Sequence, residues 1–461
     1  TGKIPVKVVL KPTLKSSDGV KAFMVEASAN PNVIGVITWC HTFSPAKMWI
    51  RGLEVLTKPL LQLATQHHKE IPWETIDMDF MNLNQAAHGD REFGYIVSRL
   101  GIPRKIVVGH YTDPAVAEEI GTWARACAGW DASNNMKVMR WGDNMRNVAV
   151  TEGDKTEAER VFGASINTWA VNDLVAAYEK VKDSQVKDLI EDYKAKYDVA
   201  PELLDSRYDE LFIAAKEEAA MVNMMRENGC TAGVDNFEDL GTLPQLPGVG
   251  PQRFPSEYGF GFSAEGDWKT AVLVRIGAVM GYGLEGGASL MEDYSYNFTE
   301  GDELDMGSHM LEVSPSIGTI AKPKLAIYPL GIGGKSDPVR LVFSGKPADA
   351  VVVSMADERE RFRLLMDEVT IVEPQGSLKN LPCARAVWKP KPDLKTAVQC
   401  WITAGGSHHT CMTTSVGREA WEDFARIAGV ELAVIDENTN ARQFEKELEL
   451  SEMYHRLNNR H

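Results

Sequence analysis

The sequence is 461 residues long, which allows about two to four domains with their own hydrophobic cores. Its net charge of −16 argues against a nucleic-acid partner, which needs a basic surface, and against attraction to an anionic membrane. No apolar run is long enough to cross a bilayer, no signal peptide is recognisable, and the six cysteines form no C-x-x-C pair. These features predict a cytoplasmic protein with reduced thiols, and the acidity favours a neutral substrate or a bound cation.

Strands and helices are predicted to alternate at the start of the chain. Val33–Trp39 and Ile106–His110 are apolar runs typical of strands buried on both faces of a parallel sheet, and residues 113–128 have a helical pattern. The alternation predicts a doubly wound α/β domain over residues 1–135. The β-branched run Val6–Leu10 is also predicted to be a strand. A parallel α/β sheet usually has its own first strand and helix before this point, so we expect that an N-terminal piece is missing.

Two further domains are predicted. Lys137–Trp141 opens a second doubly wound α/β domain, assigned to residues 136–285, which includes a long helical region between residues 173 and 227. Residues 286–461 contain short strands separated by turn residues, which predicts a mainly β, barrel-like C-terminal domain. The predicted fold class is therefore α/β, with two doubly wound domains followed by a mainly β domain.

Candidate metal ligands lie in the glycine-rich stretch at residues 286–317. Glu292 follows Gly286 and Gly287, and His309 follows Gly307. Glycine allows sharp turns and close approach of a ligand, and carboxylate oxygens and imidazole nitrogens are donors that divalent metals accept. In a chain of this length, however, most Glu and His residues are surface residues or hydrogen-bonded core residues.

Two other stretches carry donors of the same kind. Glu265 comes just before a helix predicted to start near Trp268, where it could equally be a capping-region acid. His408 and His409 follow a Gly-Gly turn and an apolar segment, VQCWI at residues 398–402, which is predicted to be a strand. Successive side chains of a strand face opposite ways, so only one of the two histidines is expected to be a ligand. Two carboxylates and two imidazoles suit Mn²⁺ or Co²⁺, and paired carboxylates also suit acid–base chemistry.

Longer motifs carry a resemblance to a known family. AEGDWKTA, MEDYSYNF, GSHMLEV, GGSHHT, HTFSPAKMW, MDFMNLNQAAHGDREFG and LGIGGKSDP occur in this order along nearly the whole chain. In these motifs the sequence resembles the L-arabinose isomerases. The resemblance implies conversion of L-arabinose to L-ribulose, and of D-galactose to D-tagatose, with Mn²⁺ and possibly Co²⁺ as the metal. It also implies a homohexamer with active sites at subunit boundaries.

The resemblance assigns roles to individual residues. The implied metal ligands are Glu265, Glu292, His309 and His409, and the two glutamates are also the implied acid–base pair. The implied sugar-contacting residues are Gln85, His88, Phe237 and Met310. One departure is that the family begins with a strand and a Gly-Ser-Gln-His-Leu-Tyr-Gly loop, which this sequence does not contain.

Other interpretations differ in substrate or class. A sugar isomerase of the L-fucose type would share the chemistry and differ in substrate. A non-catalytic sugar-binding or regulatory protein would not need two carboxylates held beside a metal, and a metal hydrolase would need a metal-bound water and an electrophilic substrate. For an isomerase, the sequence leaves open whether a proton moves through an enediol or a hydride shifts directly, and which glutamate acts at C2.

Overall fold

The structure, a computed structural model, describes residues 2–359 and 361–458. The chain forms two compact units, Thr1–Asp131 with Glu419–Gly429, and Ala132–Arg418 with Val430–His461. The second unit contains both the central α/β part and the β-rich part. The domain boundaries predicted near residues 135 and 285 stay a prediction.

Strands and helices alternate at the start of the chain, as predicted. In chain order they are α1 (Ser17–Ala29), β1 (Val36–Trp39), α2 (Ile50–Leu53), β2 (Leu60–Ala64), α3 (Met78–Leu83), α4 (Ala86–Arg99), β3 (Lys105–Val108) and α5 (Pro114–Asn134). The three strands form a parallel sheet in the order β1-β2-β3. Met24 of α1 and Phe93 of α4 belong to one buried cluster, and Trp123 of α5 belongs to another with Val107. Two separate apolar clusters around one parallel sheet agree with the predicted doubly wound arrangement.

The predicted strand Val6–Leu10 is wrong. This segment pairs with no strand among residues 2–359 and 361–458, and the side chains of Val8, Val9 and Leu10 are 57%, 62% and 88% exposed. A preference for β structure reflects packing on a pleated, half-buried surface, so a β-branched run without a hydrogen-bonding neighbour does not form a strand.

The second unit begins with a further parallel sheet. Its elements up to the barrel are β4 (Lys137–Trp141), α6 (Lys155–Phe162), β5 (Ser165–Trp169), α7 (Val171–Lys180), α8 (Asp183–Lys196), β6 (Asp198–Val199), α9 (Tyr208–Asn228), β7 (Ala232–Val234), α10 (Val249–Arg253), β8 (Gly261–Ser263) and α11 (Trp268–Met280). The sheet order is β5-β4-β7-β8 and every pair is parallel. In the described ranges 2–359 and 361–458, no helix is both long and apolar enough to cross a membrane.

A closed barrel follows, which confirms the barrel-like prediction. The remaining elements are β9 (Ala288–Asn297), β10 (Leu304–Ser308), β11 (Lys324–Ile327), β12 (Val339–Val342), β13 (Ala348–Asp357), β14 (Phe362–Val372), β15 (Arg385–Pro390), α12 (Leu394–Thr403), β16 (His409–Thr413), α13 (Arg418–Ala428), β17 (Glu431–Ile435) and α14 (Ala441–Asn458). The barrel order is β13-β16-β9-β10-β15-β14, and β14 pairs back with β13. Strand β17 pairs in parallel with β14, while β12, β11 and β6 form a separate small sheet.

The segment before the two adjacent histidines is not the predicted strand. Residues 398–402 lie in α12, whose first turn is capped by the side chain of Asp393 accepting from the Thr396 N–H. Leu394, Ala397 and Cys400 are its buried residues. Their i, i+3, i+6 spacing has the helical period, which a five-residue apolar window is too short to reveal.

Candidate active site

Strand pairing brings two of the candidate residues together and places the third beside them. In β9, Glu292 lies opposite His409 of β16 on one side and opposite Ser308 of β10 on the other. His309 is the residue after Ser308, where β10 ends. Directly opposite residues of an antiparallel pair lie about 5 Å apart, so the barrel register alone gathers Glu292, His309 and His409.

Glu265 reaches the same place from the turn between β8 and α11. Its backbone is left-handed, with φ of 61°, and it is followed by Gly266 with φ of 82°. The Gly266 N–H donates to the Asp235 carbonyl at 2.8 Å, and the Met145 N–H donates to the Glu265 carbonyl at 2.9 Å. A non-glycine residue in this conformation costs on the order of 1 kcal/mol or more, and such strain is concentrated at functional sites.

The four side chains face one another without direct hydrogen bonds. His309 Nε2 lies 3.9 Å from Glu265 Oε1 and 3.8 Å from Glu292 Oε2. His409 Nε2 lies 3.7 Å from Glu265 Oε2. His409 is fully buried, and within the described ranges its Nε2 has no hydrogen-bond partner. A buried nitrogen left unpaired beside two carboxylates is the arrangement that a divalent cation would satisfy.

A second set of carboxylates holds the other ring nitrogens. His309 Nδ1 is hydrogen-bonded to Glu312, and His409 Nδ1 lies 3.2 Å from Asp267 Oδ2. A carboxylate at Nδ1 keeps the proton there and leaves the Nε2 lone pair available to a metal. Neither acid was predicted as a site residue from the sequence. Glu312 could have been found by its position three residues after His309, and Asp267 by its position at the predicted start of α11.

Burial and negative charge shape the protonation of these groups. Burial raises the pKa of Glu292 above its usual range. Burial alone would lower the pKa of His309, but the charge of Glu312, with those of Glu292 and Glu265, outweighs it and raises the pKa to about 9. Burial raises the pKa of Asp235 well above its usual range, and the charge of Glu312 adds to this. These shifts show that several carboxylates are held close together in a buried site, and a bound cation would offset their mutual repulsion.

Glu265, Glu292 and His309 line a cavity of about 170 Å³ within the second unit, whereas His409 is not among its lining residues. That volume is the share of about six water molecules in the liquid, which is close to the size of a small sugar. Its wall includes Phe237 and Met310, for which the sequence analysis predicted sugar contacts, and also Tyr294 and Ile332. The assigned contacts of Phe237 and Met310 stay a prediction.

The predicted sugar contacts Gln85 and His88 lie elsewhere in the chain. Gln85 immediately precedes α4, and His88 lies in its first turn with its ring centroid 4.7 Å from that of Phe43. Both belong to the first unit, whereas the cavity is built from residues of the second unit. Their predicted role stays a prediction.

The structure places both neighbouring histidines near Glu265. One donor atom each of Glu265, His408 and His409 lies within 4.8 Å of the others, so this trio could also hold a metal. Burial lowers the pKa of His408 to about 4, and the charge of His409 acts in the same direction. His409 differs from His408 in facing Glu292 across the strand pair and in having a carboxylate at Nδ1.

Comparisons with known proteins cover almost the whole chain. Residues 1–135 match the L-arabinose isomerase N-terminal domain, residues 137–283 the central domain and residues 287–431 the C-terminal domain. The L-arabinose isomerase of Bifidobacterium adolescentis is 97% identical over 100% of this chain and 92% of its own length. That of Bifidobacterium longum is 92% identical over the same shares, and that of Clavibacter sepedonicus is 56% identical over 98% of this chain and 90% of its own length. The chain belongs to the L-arabinose isomerase family.

Proposed function

We propose that the protein is a metal-dependent aldose–ketose isomerase that converts L-arabinose to L-ribulose in L-arabinose catabolism. Membership of the family supports the reaction and the substrate. The observation that carries the metal dependence is the buried Nε2 of His409, which has no hydrogen-bond partner in the described ranges and lies 3.7 Å from a Glu265 oxygen. The same family match favours an L-arabinose isomerase over an L-fucose-type isomerase, a sugar-binding protein and a hydrolase.

The residues that would hold the metal are Glu265, Glu292, His309 and His409. Two carboxylates and two imidazoles are donors of intermediate hardness, which fits Mn²⁺ and, as a substitute, Co²⁺. When bound, such an ion supplies charge stabilisation for a sugar oxygen that becomes negative during isomerisation. Asp267 and Glu312 orient the two imidazoles from behind.

Glu265 and Glu292 are proposed to move the protons. One carboxylate takes the proton from C2 of the sugar and returns it to C1, while the other exchanges protons with the sugar hydroxyls. Burial raises the pKa of Glu292, which brings a carboxyl closer to the range in which it can both accept and donate a proton. Reaction in D₂O tests this step, because a direct hydride shift cannot bring solvent deuterium to C1, so deuterium at C1 of the product indicates proton transfer.

Activity on D-galactose, with D-tagatose as the product, is also proposed. D-Galactose carries one more hydroxymethyl group than L-arabinose. The cavity wall beyond the carboxylates is partly apolar, with Phe237, Leu246 and Ile332, and offers few polar partners for that group. A site of this kind discriminates only weakly for or against one extra carbon, so we expect a slower but measurable reaction.

A homohexamer with active sites at subunit boundaries is proposed from the family resemblance, with Gln85 and His88 contacting the sugar bound by a neighbouring subunit. Mixed oligomers test this arrangement. Subunits carrying His88→Ala and subunits carrying Glu265→Gln are each expected to be inactive alone. Co-assembled, they should recover part of the wild-type turnover, because some sites receive both intact residues. No recovery in verified mixed oligomers would contradict shared sites.

Ketose formation from L-arabinose is the direct test of function. We expect activity to disappear after the protein is stripped with EDTA and to return with added Mn²⁺. Glu265→Gln and Glu292→Gln should each abolish turnover while the protein stays folded. Glu303→Gln is a matched control, because this carboxylate is exposed in the same β-rich region. Metal-independent ketose formation, or near-wild-type turnover in either active-site variant, would refute the proposal.

A further inference from the structure

A second cavity, of about 210 Å³, lies in the first unit and shares no residue with the catalytic cavity. Lys58 and Pro59 precede β2, and Lys105 begins β3, so this cavity lies at the amino ends of the parallel strands. Ligands of open α/β sheets normally bind at the carboxyl ends. A cavity at the opposite edge therefore needs its own explanation.

The cavity has a marked excess of positive charge. Four cationic side chains line it, whereas Asp423 is the one carboxylate among the described lining residues. The cations are Lys58, Arg104, Lys105 and Arg426. This excess stands out in a chain whose net charge is −16. Like charges held together repel one another, so an excess of this kind indicates a site for an anion.

The single carboxylate of the wall, Asp423, pairs with two of the cations through its two oxygens. Asp423 Oδ2 lies 3.1 Å from Lys105 Nζ, and Asp423 Oδ1 accepts from Arg426 Nη1 at 2.7 Å. The side chain of Asp423 is 1% exposed. The pair therefore fixes two cations at the wall, and Asp423 has no further charge with which to neutralise the others.

The other two cations lack an acidic partner. Arg104 bonds only to neutral groups, with its Nε donating to Gln62 Oε1 at 3.0 Å and one Nη to Ser98 Oγ at 3.4 Å. Burial lowers the pKa of Arg104, and no carboxylate offsets this. Lys58 forms no hydrogen bond or ion pair with the residues described, 2–359 and 361–458. An anion would pair with both and remove an unfavourable desolvated charge.

The rest of the wall is aromatic and aliphatic. Trp123 and Trp130 line the cavity, together with Leu56, Ile102 and Ile427. The volume is the share of about seven water molecules in the liquid, which suits a small metabolite and is too small for a nucleotide. Trp123 is only 4% exposed, so the half-buried indole ring of Trp130 is the apolar surface against which the C–H groups of a sugar can pack.

We propose that this cavity binds a small phosphorylated sugar, with its phosphate held by Lys58, Arg104 and Lys105 and its carbon chain against Trp130. A phosphate dianion matches an excess of several positive charges better than a carboxylate does, and guanidinium and ammonium groups are its usual protein partners. The site is independent of the proposed isomerase chemistry.

Calorimetric titration of the Mn²⁺-loaded full chain with ribose 5-phosphate tests the proposal. We expect saturable binding that weakens at least tenfold in Lys58→Glu and weakens as salt is added. Lys187→Glu is the matched control, because Lys187 is an exposed lysine of α8 outside the cavity, and it should bind like wild type. Lys58 is only half-buried, so Lys58→Glu should fold normally.

Two comparison ligands identify what is recognised. Ribose should bind at least tenfold more weakly than ribose 5-phosphate at this site, because it lacks the phosphate. Inorganic phosphate should also bind at least tenfold more weakly, because it lacks the carbon chain. Trp130→Phe should reduce this difference in affinity between ribose 5-phosphate and inorganic phosphate. Absence of ribose 5-phosphate binding, wild-type affinity in Lys58→Glu, or equal affinity for ribose or inorganic phosphate would each overturn the proposal.

Discussion

Replacing Asp267 with asparagine tests whether this carboxylate keeps the His409 proton on Nδ1 and so leaves Nε2 free for a metal. Asp267 Oδ2 lies 3.2 Å from His409 Nδ1, and both groups are buried. Burial would raise the pKa of Asp267, but the hydrogen bond and charge of His409 and the charge of Lys269 outweigh it and lower that pKa. Asp267 is thus an ionised acceptor that keeps the proton on Nδ1. An asparagine amide can turn its NH₂ toward the ring, which lets the proton move to Nε2.

The expected size of the effect follows from this arrangement. Removing a carboxylate that supports a metal-bound histidine typically costs about 10- to 100-fold in metal affinity. That range corresponds to about 1.4 to 2.7 kcal/mol. We therefore expect the Mn²⁺ dissociation constant of Asp267→Asn to rise by about this factor, with turnover at limiting metal falling in proportion. Excess Mn²⁺ should restore much of the turnover.

Asp267 also caps a helix, and the chain offers a close control for this second role. Asp267 caps α11, accepting from the Thr270 N–H and Oγ1. Asp393 caps α12 in the same way, accepting from the Thr396 N–H and Oγ1, and among residues 2–359 and 361–458 it forms no hydrogen bond or ion pair with a histidine. Asparagine is almost as good a cap as aspartate, so both variants should lose about 1 kcal/mol or less of unfolding free energy.

Calorimetric titration of the metal-free proteins with Mn²⁺ gives the comparison. Asp393→Asn should bind Mn²⁺ like wild type, and Asp267→Asn should bind it more weakly by the factor above. The reasoning would be refuted if the two variants bound Mn²⁺ equally well, or if Asp267→Asn lost stability without losing metal affinity.

Three further predictions concern backbone strain, pH and metal. Gly266→Ala should destabilise the protein by about 3 kcal/mol and reduce activity, because Gly266 has φ of 82° and an added Cβ would lie 2.6 Å from Asn144 Cα; Gly301→Ala, with φ of 78° and nothing within 4 Å, should cost only about 1 kcal/mol in urea unfolding. Burial raises the pKa of Asp90 to about 6, so the folded state binds a proton more tightly than the unfolded state, and stability falls as pH rises through 6. Asp90→Asn should therefore exceed wild type in unfolding free energy by about 1 kcal/mol at pH 8 and by nothing at pH 4. An equal gain at both pH values would contradict this. Mn²⁺ at about 100 times its dissociation constant should add about 2.7 kcal/mol to the unfolding free energy of wild type and much less to that of Glu265→Gln, and an equal gain in both would place the metal elsewhere.

The fold class was predictable because its signals are local. The apolar run Ile106–His110 and the helical pattern that follows indicate a parallel strand and its helix directly, but burial on both faces was wrong, because Ile106 and Val108 are 47% and 71% exposed. Local signals fail where the outcome depends on a distant neighbour. Val6–Leu10 has the composition of a strand but no pairing partner in the described ranges. Residues 398–402 also have the composition of a strand, but they lie in a helix in which Cys400 is buried and Ile402 is exposed.

The candidate site was predictable only in part. Glu265, Glu292, His309 and His409 could be named from long motifs, but their distances depend on the barrel register, which no single segment contains. Asp267 and Glu312 were not predicted because acidic residues are common at such positions in any protein. Asp267 lies at a helix start and Glu312 in a short loop. What distinguishes Asp267 and Glu312 from other acidic residues is their position beside the Nδ1 atoms of His409 and His309.

The pairing of Glu292 with two different neighbours has a consequence for how the chain folds. Strands β9 and β10 are neighbours in the sequence, but β16 follows far along the chain, so His409 joins the other donors only after β16 has paired with β9. Closing such long loops is entropically costly and tends to come late in folding. A slip of one residue between β9 and β16 would turn His409 to the opposite face from Glu292. A metal ion added during refolding would thus bind only correctly registered chains, and the appearance of high-affinity metal binding would time the closure of the barrel.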